Sequence, residues 1–138
     1  IYINDIVYSR EPMEVTEREV AEMLCRNRTR IAAIESNNGG RGFARAVQRL
    51  APKVKIDWFH QSDNKEARIL SNSATAQHII RFPVDWQRRW AELYTHLTTY
   101  RREFRSNRWH DAADVISGIV ENEGFADEDS RVRHIEFR

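Results

Sequence analysis

The chain has 138 residues, 41% of them hydrophobic and 31% charged, with a formal net charge of +1. That length allows one domain or part of one, with a modest core, and the near-zero total leaves function to the placement of charge rather than its sum. The single cysteine, Cys25, excludes an intrachain disulfide and fits a reducing compartment; the absence of any long apolar run or leader pattern argues against a membrane span or secretion signal.

Ile1 to Tyr8 alternates in part and reads as a strand already under way, as in a fragment cut from something longer. Glu11-Pro12 ends it. Thr16 with Glu19 forms a capping box, and Val15 with Val20 a hydrophobic staple, so a helix is expected with Val20, Met23 and Leu24 inward and its end near Asn27. Cys25 lies inside that helix and reads as packed rather than nucleophilic.

Ile31 to Glu35 is a short apolar run that stops on a carboxylate. The polar, glycine-rich stretch Ser36-Asn37-Asn38-Gly39-Gly40-Arg41 follows, and then Phe43, Ala46, Val47 and Leu50 at helical spacing, with Pro52 closing the helix. In open α/β sheets, ligands bind just outside the carboxyl ends of the strands, and Glu35 is placed there. On this stretch alone, Glu35 is equally readable as a strand-end surface residue beside an ordinary turn.

Val54 to His60 is another strand, with Val54, Ile56 and Trp58 on one face. Asp63 or Asn64 can cap a helix with Ile69, Leu70, Ala76 and Ile80 inward, and Ile80 to Pro83 is extended. A longer helix from Asp85 carries Trp86, Trp90, Leu93, Tyr94, Leu97, Tyr100 and Phe104 as a core stripe. Arg101, Arg102, Arg105 and Arg108 follow at its end, where the macrodipole favours cations.

The last helix runs from about His110 to Glu121. Asp111 and Asp114 share one face of it, while Val115, Ile116, Ile119 and Val120 point to the core. Two carboxylates on one helix face, with Glu35 at a strand end, suit a hard cation such as Mg²⁺ or Mn²⁺, held with water and substrate phosphate. Alternatively Asp111 caps the helix and Asp114 favours its first turn. The tail from Gly124 is acidic at Asp127-Glu128-Asp129 and then alternates at Val132, Ile135 and Phe137, as a late strand or a disordered end. The glycine stretch lacks the Lys and Ser/Thr of a phosphate-binding loop, and no Cys/His cluster has zinc spacing. The order of elements is α/β.

Glu35-Ser36-Asn37-Asn38-Gly39-Gly40-Arg41-Gly42-Phe43-Ala44-Arg45, then Trp58-Phe59-His60-Gln61-Ser62 with Asn64-Lys65-Glu66-Ala67-Arg68-Ile69, then His110-Asp111-Ala112-Ala113-Asp114, occur in one order. Together they resemble the C-terminal nuclease domain of tailed-phage terminase large subunits. The resemblance implies a ribonuclease H-like mixed sheet flanked by helices over residues 1–123, with the first strand missing, and a tail over 124–138. It implies metal-dependent endonuclease activity on concatemeric double-stranded viral DNA, with Mg²⁺ or Mn²⁺ as cofactor. By the same resemblance Glu35 and Asp111 are catalytic, Glu35, Asp111 and Asp114 bind metal, and Asn38, Arg41 and Lys65 contact DNA. The implied partners are a terminase ATPase domain, the small terminase subunit and the portal, in the host cytoplasm. The family's first catalytic Asp has no counterpart here, and His110 stands where an Asp is usual. A catalytically incomplete ribonuclease H-like module that binds DNA or the packaging motor is therefore the alternative.

Overall fold

The structure is a computed structural model that describes residues 1–37, 39–61, 64–123 and 134–135, with side chains described for residues 1–37, 39–61 and 64–122. It divides into two compact units: Asp5–Ser62 with Arg131–Arg138, and Ile1–Asn4 with Asp63–Ser130. None of its helices is long and apolar enough to cross a membrane among the described residues.

The first of these units is built on a strand–helix–strand repeat. Helix α1 (Met13–Arg26) precedes β1 (Ile31–Glu35), helix α2 (Gly40–Leu50) and β2 (Lys55–Phe59). Strand β3 (His134–Ile135) adds to the other side of β1, giving a three-stranded sheet in the order β2-β1-β3. Both pairings are parallel, with Ile34 beside Trp58 and Ala32 beside His134. The expected central position of Ile31–Glu35 is therefore met, but the expected mixed sheet is not: all the described strands run one way. A parallel strand needs a crossover, and α2 is that crossover.

Alternation along β1 sends Ala32 and Ile34 to one face. There they join Val20, Ala21 and Leu24 of α1 and Phe43, Ala44 and Val47 of α2 in one buried core. Each fully buried Leu or Val contributes roughly 1.5–3 kcal/mol. Ile56 packs at the margin of this core, whereas Trp58, on the edge strand, stays 46% exposed.

Helix α1 starts earlier than its capping box predicts. Pro12 precedes its first residue, Met13, and no side chain caps it. Proline's fixed φ suits a helix start, and the Thr16 hydroxyl, now inside the first turn, donates back to the Met13 carbonyl at 3.0 Å. Val15 is exposed, so the staple does not form. Cys25 is exposed rather than packed, because α1 buries the face carrying Val20, Met23 and Leu24. The helix ends at Asn27 as expected.

Ile1 to Tyr8, of which only Ile1–Asn4 belong to the second unit, does not form a strand. Its ladder is a single parallel bridge from Tyr2 to Arg81, flanked by Ile3 N–H on the Arg81 carbonyl and Arg81 N–H on the Ile1 carbonyl. Helix α3 (Lys65–Ile79) is capped by Asn64, whose side chain accepts from Glu66 N–H at 2.9 Å. Ile69, Ala76 and Ile80 are buried as expected, but Leu70 is 44% exposed and Arg68 takes a buried place instead.

The long helix expected from Asp85 is two short ones, α4 (Trp86–Arg89) and α5 (Ala91–Thr98), because Trp90 leaves helical angles at φ −133°, ψ 62°. Within the expected core stripe only Leu93 is fully buried. The aromatic residues pack on one another instead, Trp86 stacking on Phe82 and meeting Tyr94 edge-on. Trp86, Leu97 and Tyr100 line one side of a cavity of about 370 Å³, opposite residues of α3 and α6 (Asp111–Glu123). On α6, Ile116 and Ile119 are buried as expected with Ala112, Ala113 and Ser117, while Val115 and Val120 are half-buried. Helices α3 and α6 pack on each other, which sets the charged cluster described next.

Candidate functional site

Strand β1 ends where two glycines let α2 begin directly above it. Gly39 has φ +93°, a left-handed value that glycine adopts without strain. At Gly40 an added Cβ would lie 1.9 Å from the Glu35 carbonyl oxygen, so only glycine permits this approach. Ser36 ties the ends of β1 and β2 together: its N–H and its hydroxyl both donate to the Phe59 carbonyl, at 2.8 and 2.9 Å. Asn37 does the same with its amide, donating to the Gln61 carbonyl at 2.6 Å and to Glu35 Oε1 at 2.8 Å.

The outcome is an exposed Glu35 carboxylate steadied by one amide. The other side-chain atom of Asn37, Oδ1, is buried with no hydrogen-bond partner among the described residues. A buried acceptor left unpaired is costly, and here it sits on the residue that holds Glu35. Hard divalent cations take oxygen ligands, and the exposed Glu35 carboxylate at this end of β1 offers that kind. Asn37 escaped the sequence reading; its signal was a polar residue two places past a strand-end carboxylate.

The carboxylates of α6 are held differently. Arg68 Nε donates to Asp114 Oδ1 at 2.8 Å and its Nη2 to the same oxygen, while Lys65 Nζ lies 3.2 Å from Asp114 Oδ2. Lys65 also donates to Asp111 Oδ1 at 2.9 Å. Burial alone would push the Lys65 ammonium down, but Asp111 and Asp114 together raise it. The Arg68 and Asp114 side chains are only 4% and 12% exposed, so this pair is an interior one. Both oxygens of Asp114 are thus claimed, and it does not fit a metal as it stands. Asp111, at 60% exposed, keeps Oδ2 free among the described residues.

His110 is half-buried, stacked on Phe104 with ring centroids 3.9 Å apart and approached by the Tyr100 hydroxyl at 3.4 Å. The Tyr100 phenol is raised by its burial and then by the negative charges of Glu66 and Asp114. Among the predicted DNA contacts, Arg41 is exposed at the start of α2, Lys65 is engaged by Asp111 and Asp114, and Asn38 lies outside the described residues. Among the described residues no group of three or more His, Cys, Asp or Glu side chains is placed to hold a metal ion. Compared with family models, curated proteins and solved structures, the chain finds no match.

Proposed function

We propose that this chain is the nuclease domain of a phage DNA-packaging terminase large subunit, a metal-dependent endonuclease that cleaves double-stranded concatemeric DNA. The observation that supports the reading best is the end of β1: an exposed carboxylate, Glu35, at the carboxyl edge of the central parallel strand, steadied by the Asn37 amide. Ribonuclease H-like architecture and the roles of Glu35 and Asp111 as catalytic carboxylates come from the resemblance. Mg²⁺ or Mn²⁺, when bound, polarises a phosphoryl oxygen and makes a water nucleophilic near neutral pH. What the chain itself contributes is orientation: Asn37 and Ser36 fix the strand end that carries Glu35. Arg41 supplies a cation for the phosphate backbone.

A second reading, a catalytically incomplete DNA- or motor-binding module of the same architecture, is favoured by the α6 cluster. Lys65 and Arg68 already neutralise the carboxylates that a second metal ligand set would use. Supercoiled plasmid incubated with Mn²⁺ separates the readings. Nicking that is lost, by about 100-fold or more, in Glu35→Ala and Asp111→Ala supports the nuclease. Plasmid that is bound but stays supercoiled supports the module. Equal nicking by wild type and Glu35→Ala would refute the role of Glu35.

A further inference from the structure

Helix α2 carries Arg41, Arg45 and Arg49 and no acidic residue. The spacing of four puts the three on one face, and all are exposed, while Phe43, Ala44, Ala46 and Val47 are buried on the other. Like charges at that spacing destabilise a helix, and no acidic side chain among the described residues pairs with them. Among the described residues none of the three forms a hydrogen bond or ion pair. Several other cations of the chain do: Arg26 with Asp5, Lys55 with Asp57, Lys65 with Asp111 and Asp114. A row of guanidinium groups with no ionic partner among the described residues presents its donors to an anion.

Arg45 has one partner, the ring of Trp58, whose centroid is 5.7 Å from its guanidinium carbon. Trp58 sits on edge strand β2, beside Ile34 in register, and is 46% exposed. A cation–π contact uses the face of the guanidinium and leaves its in-plane N–H donors free. Trp58 therefore steadies Arg45 without consuming its hydrogen bonds. Successive arginines rise about 6 Å along the helix axis, a step comparable to the separation of neighbouring phosphates on one strand. Planar guanidinium groups match phosphate oxygens in pairs.

We propose that the exposed face of α2, with Arg41, Arg45 and Arg49 as the phosphate contacts and Trp58 as the positioning residue for Arg45, tracks the backbone of duplex DNA. The inference rests on the reading of DNA as the partner and adds the surface that grips it. It does not depend on cleavage.

The test measures affinity for a duplex oligonucleotide without divalent cation, as a function of salt. Each phosphate neutralised contributes about −0.9 to the slope of log K against log[salt]. The Arg41→Gln/Arg45→Gln/Arg49→Gln variant should lose up to about 2.7 of that slope. A control, Arg101→Gln/Arg102→Gln/Arg105→Gln, removes the same charge from other exposed arginines and should keep the wild-type slope. Trp58→Leu should weaken binding several-fold and Trp58→Phe, which keeps an aromatic face, should recover it. A slope unchanged in the α2 variant, or lost equally in the control, overturns the proposal while leaving DNA as the partner. Wild-type protein that binds no duplex at low salt overturns both.

Discussion

At the end of β1, Glu35 keeps an exposed carboxylate with one amide bond, from Asn37. At the start of α6, Asp114 has one oxygen on a buried guanidinium and the other on an ammonium. Both are acids that the resemblance assigns to one chemistry, yet their surroundings differ in kind. Glu35 is held in place by backbone geometry, through Gly40 and the Ser36 clamp, and has no ionic partner among the described residues. Asp114 is held by its charge, and its oxygens are spent on structure. The difference teaches that a shared assignment does not make two carboxylates equivalent: the one whose position needs no ionic partner among the described residues is the one open to a ligand.

The comparison can be broken most sharply at Arg68. Removing one partner of an interior ion pair leaves the other charge buried, which costs about 3–5 kcal/mol. Arg68→Met should approach that loss in chemical denaturation, lessened by the remaining Lys65. Arg68→Met/Asp114→Leu should regain most of it. A single variant within about 0.5 kcal/mol of wild type, the range of ordinary surface changes, would show that Asp114 is not structurally committed.

A smaller effect is expected at alkaline pH. Lys65 is raised above its ordinary 10.5 and Tyr100 above its ordinary 10.0. A group raised on folding stabilises the protein fully below its unfolded value, and that contribution is lost as pH rises through the folded value. Melting temperature followed from about pH 9 to 11 should therefore fall more steeply for wild type than for Lys65→Met/Tyr100→Phe. Parallel curves would remove the α6 cluster as a source of stability.

The smallest effect should come from Glu35→Gln. The amide is isosteric and the site exposed, so stability should stay within about 0.5 kcal/mol of wild type. Any rise in melting temperature given by Mn²⁺ should disappear in the variant, since a ligand stabilises only the state that binds it. A Mn²⁺ shift that survives the substitution would place the cation elsewhere.

How much of this was legible beforehand varies with the kind of signal. The apolar run Ile31–Glu35, the glycine turn and the helix after it were readable because periodicity and turn chemistry agree over that stretch. The Asn64 cap was readable for the same local reason. The start of α1 was not, because proline and a capping box competed and proline won four residues earlier, with Pro12 rather than Thr16 before the first turn. The aromatic run after Asp85 gave a helical period, but mutual ring packing and the break at Trp90 replaced burial in one core. The fate of Asp111 and Asp114 was half visible. Lys65 and Arg68 have the same spacing of three as the two acids, a complementary pattern that means something only once α3 and α6 are known to pack together.

The pairing of β3 with β1 brings together residues about a hundred positions apart in the sequence, Ala32 with His134 and Ala33 with Ile135. During synthesis, β1, α2 and β2 leave the ribosome before α3, and the whole of α3 to α6 must be made before His134 and Ile135 emerge. For that interval β1 offers a bare edge to any passing strand, the kind of exposure that invites mispairing. Its closing contact is also of the long-range type that folds slowly. The nascent chain is therefore most vulnerable in the strand that carries Glu35, and β3 acts as the stopper.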